Sequence, residues 1–450
     1  MTTTFVPQPH LLDSARGRDW PVYPALGQLP RAERVPTHAD VVIIGAGPAG
    51  LAVASGLWHL GIHDVVLLDR TGTTPGQRFF TRIDGLDQRV LRSPYEHHPG
   101  VEGYRDCELL DFARLHWAHL SRVERREIRM AQAGHRSVVP VDVFEAFCRH
   151  VATVHQVGRR TWQATVREVR PSAGAVGVRT DRGDVTARFV AMCLGEERRA
   201  APASWWGGGE RPQQDGRFGY WDEPVPTGVE SVVVVGAGLT AAHLVLKALH
   251  DGQRVRWVVR ANEERYQCSD VNASFFRAEG RARFDGVPWS DRLGLMRRER
   301  RASVMFEFRP LLRAAEATGQ LTVHRGSEVT GTAPGCVLLS GGERVAGDHV
   351  VLALGTTPSI GDTLMPSAAV GALDGWPDLD ERTLAYRAAP RVFAVGAAAC
   401  MVLGPAARNI DGHRVATARV AATIAAGIAD DAVPDTASET ARPGEVTVRA

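Results

Sequence analysis

The chain has 450 residues, 44% of them hydrophobic and 23% charged, with a formal net charge of +2 at pH 7. That length suits two or three domains with cores of their own, and that charge gives no electrostatic ground for binding nucleic acid or a membrane surface. No stretch of about 18 uncharged apolar residues occurs, and MTTTFVPQPHLL lacks the pattern of a secretory signal, so the expected location is cytoplasmic.

Residues 1–38 read as an irregular lead-in. A buried strand is predicted at DVVIIGA (40–46), followed by Gly45, Gly47 and Gly50 in a G-x-G-x-x-G turn and a small-residue helix. The first glycine allows the tight turn, the second lets a pyrophosphate approach the backbone, and the third lets helix and strand pack closely. Pro48 is tolerated in the first helical turn, and the N–H groups of that turn, Ala49 included, are offered to phosphate. The next strand, DVVLLD (64–69), ends in Asp69 beside Arg70, where an acid would bind ribose hydroxyls.

After a strand at 189–195 and a Trp- and Gly-rich connection at 202–224, the pattern recurs as SVVVVGAGLTAAH. Here Gly236, Gly238, Leu239 and Thr240 form the turn, and Ala241 takes the third place. The following strand ends in Arg260, which can pair with a 2′-phosphate, so NADPH is favoured over NADH. Later strands are predicted at 349–355, ending in Gly355, and at 391–396, ending in Gly396 before a long helix of small residues. Residues 429–450 read as a solvated tail.

Six scattered cysteines include no C-x-x-C pair, so neither a redox dithiol nor a zinc motif is signalled and no metal is expected. His97 and His98 are adjacent and lack further ligands at metal spacing, so SPYEHHPG is taken as a loop lining the cofactor cleft. The basic run at 296–303 is taken as a solvated helix face, and Trp205, Trp206, Tyr220 and Trp221 as packing.

On GAGPAGLA, LRSPYEHHPG, VVVVGAGLTAAH and LGPAARNIDGHR, the chain resembles the two-dinucleotide-binding-domain flavoproteins, and within them the flavin monooxygenase branch related to lysine and ornithine N-hydroxylases. The resemblance implies an α/β fold with two Rossmann-like, doubly wound domains, the NAD(P) domain inserted within a discontinuous FAD domain. The expected segments are 39–204 and 346–428 for FAD and 205–345 for NAD(P)H. It implies that Gly45, Gly47, Gly50 and Asp69 hold the adenylate end of FAD, that Arg92 and Ser93 lie near the flavin with Gly396 beside its ribityl chain, and that Asn409 belongs to the cofactor site. Asn272 and Ser274, after the second motif, are candidate contacts to substrate or nicotinamide, and with Arg92 they are the candidate catalytic residues.

Three departures stand out: Ala397 replaces the usual acid after the late glycine, the linker lacks the histidine of Baeyer–Villiger enzymes, and TPGQRFF replaces the usual aromatic after the first acid. The implied activity is NADPH-dependent oxygenation of a small molecule at nitrogen, sulfur or a ketone through a C4a-(hydro)peroxyflavin, with O2 as co-substrate and a homo-oligomer allowed for. An NAD(P)H:acceptor reductase and a catalytically silent flavin-binding relative are the alternatives.

Overall fold

The structure, a computed structural model, describes residues 8–21, 34–101, 103–104, 107–209, 217–371 and 373–432. Two sheets carry the two glycine turns, the first mixed with a parallel centre and the second parallel throughout. The first is 8-stranded, with the path Ala385–Tyr386, Ala389–Ala394, Gly183–Met192, His38–Ile44, Val65–Asp69 and Thr161–Gln163. Its central strand, His38–Ile44, pairs in parallel with Val65–Asp69 on one side and Gly183–Met192 on the other. Val41, Val42 and Ile43 are fully buried, as expected for a strand covered on both faces. The helices Pro48–His59 and Val141–Val154 pack against each other, and the long helix Ile410–Ala432 crosses the first of them. That crossing is close because Gly56 lacks a side chain: a Cβ there would lie 2.7 Å from Thr417 Cγ2.

The second sheet has the order Phe218–Tyr220, His349–Leu352, Ser231–Val235, Arg254–Val259, Leu321–Arg325, with every pair parallel. Both sheets share one construction. A strand and its glycine turn lie between the strand that follows in sequence and one contributed much later, which creates a switch point where ligands of open α/β sheets bind. At the first switch point a Cβ on Gly45 would meet the Cys193 carbonyl oxygen at 2.4 Å. At the second, one on Gly236 would meet that of Ala353 at 2.3 Å. Both glycines have positive φ, +99° and +139°, which a side chain would disfavour.

The secondary structure meets the expected segment bounds differently in three places. The strand His349–Leu352 pairs within the second sheet, so the return to the first sheet begins after it and not at 346. Phe218–Tyr220, expected within the connection, is a strand of that same sheet. The chain crosses between the sheets at Glu196–Arg198 and Thr356–Pro358, which pair as an antiparallel ribbon. The lead-in is anchored: Trp20 Nε1 donates to Asp142 (2.8 Å), and Arg18 binds both Asp142 and Glu124. Helix continues through Ala432, so the expected tail start at 429 moves, and 433–450 lie outside the described residues. No helix among the described residues is long and apolar enough to cross a membrane.

Candidate functional site

Both glycine turns open on one cleft of about 840 Å³. Gly47 is the N-cap of Pro48–His59 and Gly238 that of Leu239–His250; neither helix start is capped by a side chain. A Cβ on Gly47 or Gly238 would meet nothing within 4 Å, so open space lies against the free N–H groups of each helix start. Gly50 differs: a Cβ there would lie 2.0 Å from the Gly45 carbonyl oxygen, so it serves close packing and does not line the cleft.

Of the expected cofactor residues, Gly45, Gly47, Pro48, Ala49, Asp69, Arg70, Arg92, Ser93, Gly238, Leu239, Gly355, Gly396 and Asn409 line this cleft. Gly236 sits behind it in the tight turn, and Thr240 is in the first turn of the second glycine helix without lining the cleft. Asp69 is already engaged, accepting from the Ala46 N–H (2.8 Å), the Thr71 N–H (2.8 Å) and the Thr71 hydroxyl (2.5 Å). Its carboxylate therefore fixes the turn, and the residue lines the cleft. Arg260, just past Arg254–Val259, is exposed, makes no ion pair among the described residues and lies outside the cleft lining.

Two groups of expected residues fall outside this lining. Asn272 and Ser274 do not line the cleft: Asn272 Oδ1 accepts from the Ser274 N–H (3.0 Å) as the cap of a short turn, and the Ser274 hydroxyl accepts from Arg283 (2.7 Å). Of LRSPYEHHPG, only Leu91, Arg92 and Ser93 reach the cleft. His97 packs at a tilt against Phe276, with burial lowering its pKa, and His98 bonds to Glu108 at 2.9 Å.

The opposite wall carries no motif in the sequence. Arg300, placed on a solvated face, instead bonds Asp270 (2.8 Å) and Asn409 Oδ1 (2.7 Å), while Asn409 Nδ2 donates to Asp270 (2.9 Å). Burial alone would raise the Asp270 pKa; Arg300 and Arg92 hold it below the usual carboxylate value. Beside this triad, burial favours protonated Glu196, but Arg408 and the Thr356 hydroxyl, both bonded to it, keep it ionised. Arg92 is buried, donating to the Ser303 hydroxyl (3.0 Å) and carbonyl (2.8 Å).

The lining holds eight arginines (70, 78, 82, 92, 199, 300, 301, 408) against four carboxylates (69, 196, 197, 270). That imbalance suits a ligand carrying several phosphates. Three buried nitrogens, Arg92 Nε, Trp221 Nε1 and His413 Nδ1, have no hydrogen-bond partner among the described residues, and all three residues line the cleft. Burial pushes the His413 pKa down to about 4, so its ring is neutral, and it lies against Gly396. Unmet polar atoms and an open helix start are what a bound dinucleotide would complete.

Residues 38–94 match a sequence family described as an FAD binding domain. No functionally curated protein matches the chain by sequence. Among solved structures, the chain is similar to reduced ornithine hydroxylase from Pseudomonas aeruginosa, with a TM-score of 0.68 and 16% identity over 87% of this chain and 99% of that one. It is also similar to L-lysine 6-monooxygenase from Pseudomonas syringae, with a TM-score of 0.63 and 17% identity over 87% of this chain and 100% of that one. Bacillithiol disulfide reductase from Bacillus cereus gives a TM-score of 0.58 and 17% identity over 87% and 99%. The fold is thus the two-dinucleotide-binding-domain fold of these proteins, matched along nearly their whole lengths.

Proposed function

From that fold we propose an FAD-dependent, NADPH-using monooxygenase that transfers one oxygen atom of O2 to a small molecule, an amine before a thioether or ketone. The observation that carries this reading is a single arginine-rich cleft served by two uncapped glycine-turn helix starts, at Gly47 and Gly238. The match of 38–94 to an FAD binding domain assigns the first turn to FAD. Arg260, at the position equivalent to Asp69, favours the 2′-phosphate of NADPH at the second. Bound FAD would supply hydride acceptance and oxygen activation, chemistry that no side chain provides.

The chain's own residues bind and orient. The N–H groups after Gly47 would receive the FAD pyrophosphate, with Asp69 facing the adenosine ribose. Neutral His413, with its buried Nδ1 unpartnered among the described residues, can exchange a hydrogen bond with a ribityl hydroxyl, which answers the absence of an acid at Ala397. The Arg300–Asp270–Asn409 triad walls the cleft with charge already paired and needing little reorganisation, and Arg92 beside it is held by Ser303. The preference for an amine rests on the neighbours, named as an ornithine hydroxylase, a cadaverine monooxygenase and an L-lysine 6-monooxygenase.

A thiol–disulfide reductase is less well served. Cys193, the cysteine lining the cleft, is buried among apolar groups, which raises its thiol pKa and suppresses the nucleophilic thiolate. The test is aerobic NADPH turnover with a panel of small amines, thiols and ketones. Coupled formation of an oxygenated product supports the reading; NADPH oxidation matched by hydrogen peroxide across the whole panel contradicts it.

A further inference from the structure

Away from the cleft, three side chains distant in sequence converge. His59 is the last residue of the first glycine helix, His155 caps the helix Val141–Val154, and Cys107 precedes the helix Leu109–Leu115. The Cys107 sulfur lies 3.3 Å from His59 Nε2 and 3.4 Å from His155 Nε2, and one ligand atom from each residue falls within 4.8 Å of the others. We propose that His59, Cys107 and His155 form a structural divalent-metal site, selective for zinc, with water as the fourth ligand.

The geometry fits before any ion arrives. With Zn–S of about 2.3 Å and Zn–N of about 2.0–2.1 Å, tetrahedral angles put neighbouring sulfur and nitrogen ligands about 3.6 Å apart. Both observed separations fall only a few tenths of an ångström short of that, a gap that small rotamer changes close. One thiolate with two imidazoles suits zinc and discriminates against calcium and magnesium, which prefer oxygen ligands. On binding, the Cys107 thiol would release its proton to solvent and the two imidazoles would coordinate as neutral bases.

The surroundings favour a cation. His59 and His155 stand at the C-terminal ends of two helices, where the partial negative charge of the last carbonyls stabilises positive charge. Cys107 and His155 are 0% and 1% exposed, whereas His59 is half-buried and stacked on Tyr104, which is 47% exposed. The cluster therefore has a closed inner side and one side toward solvent, by which an ion enters and the water ligand is held.

Cys107 is also held in place. Its N–H donates to the Tyr104 carbonyl (2.8 Å), and Gly100 packs so closely that a Cβ would lie 2.0 Å from the Cys107 carbonyl oxygen. Glu108 braces the same loop through His98 (2.9 Å) and the Gly103 N–H (2.8 Å). A metal here would tie two helix ends to the loop that leads away from Arg92 and Ser93. None of its three ligands lines the cleft, so the site is structural, with no part in the reaction.

The test uses tag-free, full-length protein incubated with zinc chloride, desalted and analysed for metal by mass spectrometry. The expected result is about one zinc per chain, lost in Cys107→Ser and in His155→Gln variants whose circular dichroism shows them folded. Should both variants fail to fold, cobalt(II) added to metal-stripped wild-type protein reports on the same ligands. A thiolate-to-cobalt charge-transfer band with tetrahedral d–d absorption is then expected. Wild-type protein that retains no zinc and gives no such band overturns the proposal, as does zinc retained unchanged by folded Cys107→Ser.

Discussion

Gly47 and Gly50 stand three residues apart in one turn, yet the same substitution should affect them differently. Gly50→Ala would force a Cβ against the Gly45 carbonyl oxygen, 2.0 Å away, and overpacking of this kind costs about 1–3 kcal/mol. Gly47 has φ −70° and open space ahead of it, so Gly47→Ala should fold with nearly unchanged stability while obstructing the pyrophosphate. Melting temperature and bound flavin, measured on both variants, separate packing from binding; equal stability losses would contradict this division. Histidine burial gives a second expectation. His243 and His413 are held by burial at about 3 and about 4, below the value near 6.5 of an exposed imidazole. Between roughly pH 4 and 6.5 the unfolded chain takes up protons that the folded chain refuses, so stability falls as pH falls through that window and is fully present above it. Each such histidine contributes a slope of about 1.4 kcal/mol per pH unit. Urea midpoints measured across the window should show a shallower slope in His413→Asn than in wild type; an unchanged slope would contradict the assignment.

The strand–turn–helix units were legible in the sequence because their chemistry is local: an apolar run, three small residues at fixed spacing and a polar residue at the next strand's end. They fix Gly45, Gly47, Gly238 and Asp69 with no knowledge of the rest of the chain. The opposite wall was not legible in that way. Asn409 and Asp270 are separated by 139 residues and Arg300 and Asn409 by 109, so only the packed fold brings them together. Arg300 looked like part of a solvated basic run because its partners lie on other elements. Conversely, Asn272 and Ser274 follow the second motif closely in sequence, but the short turn that Asn272 caps lies outside the cleft. The second unit carries the coenzyme prediction. If Arg260 pairs with the 2′-phosphate, Arg260→Ala loses a charge-assisted bond of about 1.5–3 kcal/mol, a rise of about tenfold to a hundredfold in KM for NADPH. The KM for NADH should stay within about twofold, since that coenzyme lacks the charge the arginine would meet. Steady-state kinetics with both coenzymes check it, and equal effects on the two would remove Arg260 from the site.

At the scale of the whole molecule, the two sheets are joined by a short ribbon in which Glu196–Arg198 and Thr356–Pro358 pair, and both chain crossings run through it. The ribbon also contributes to the cleft, since Glu196 and Thr356 are bonded to each other and to Arg408 of the first unit. Glycine turns on separate sheets thereby open on one shared cavity, and the proposed hydride transfer depends on that sharing. Anaerobic mixing of FAD-loaded protein with NADPH, followed by flavin absorbance, tests it most directly. About one equivalent of NADPH should bleach the flavin, and Gly238→Ala should raise the NADPH concentration needed for half-maximal rate without lowering flavin content. Protein that binds no FAD, or whose bound flavin stays oxidised with NADPH and NADH alike, would contradict it.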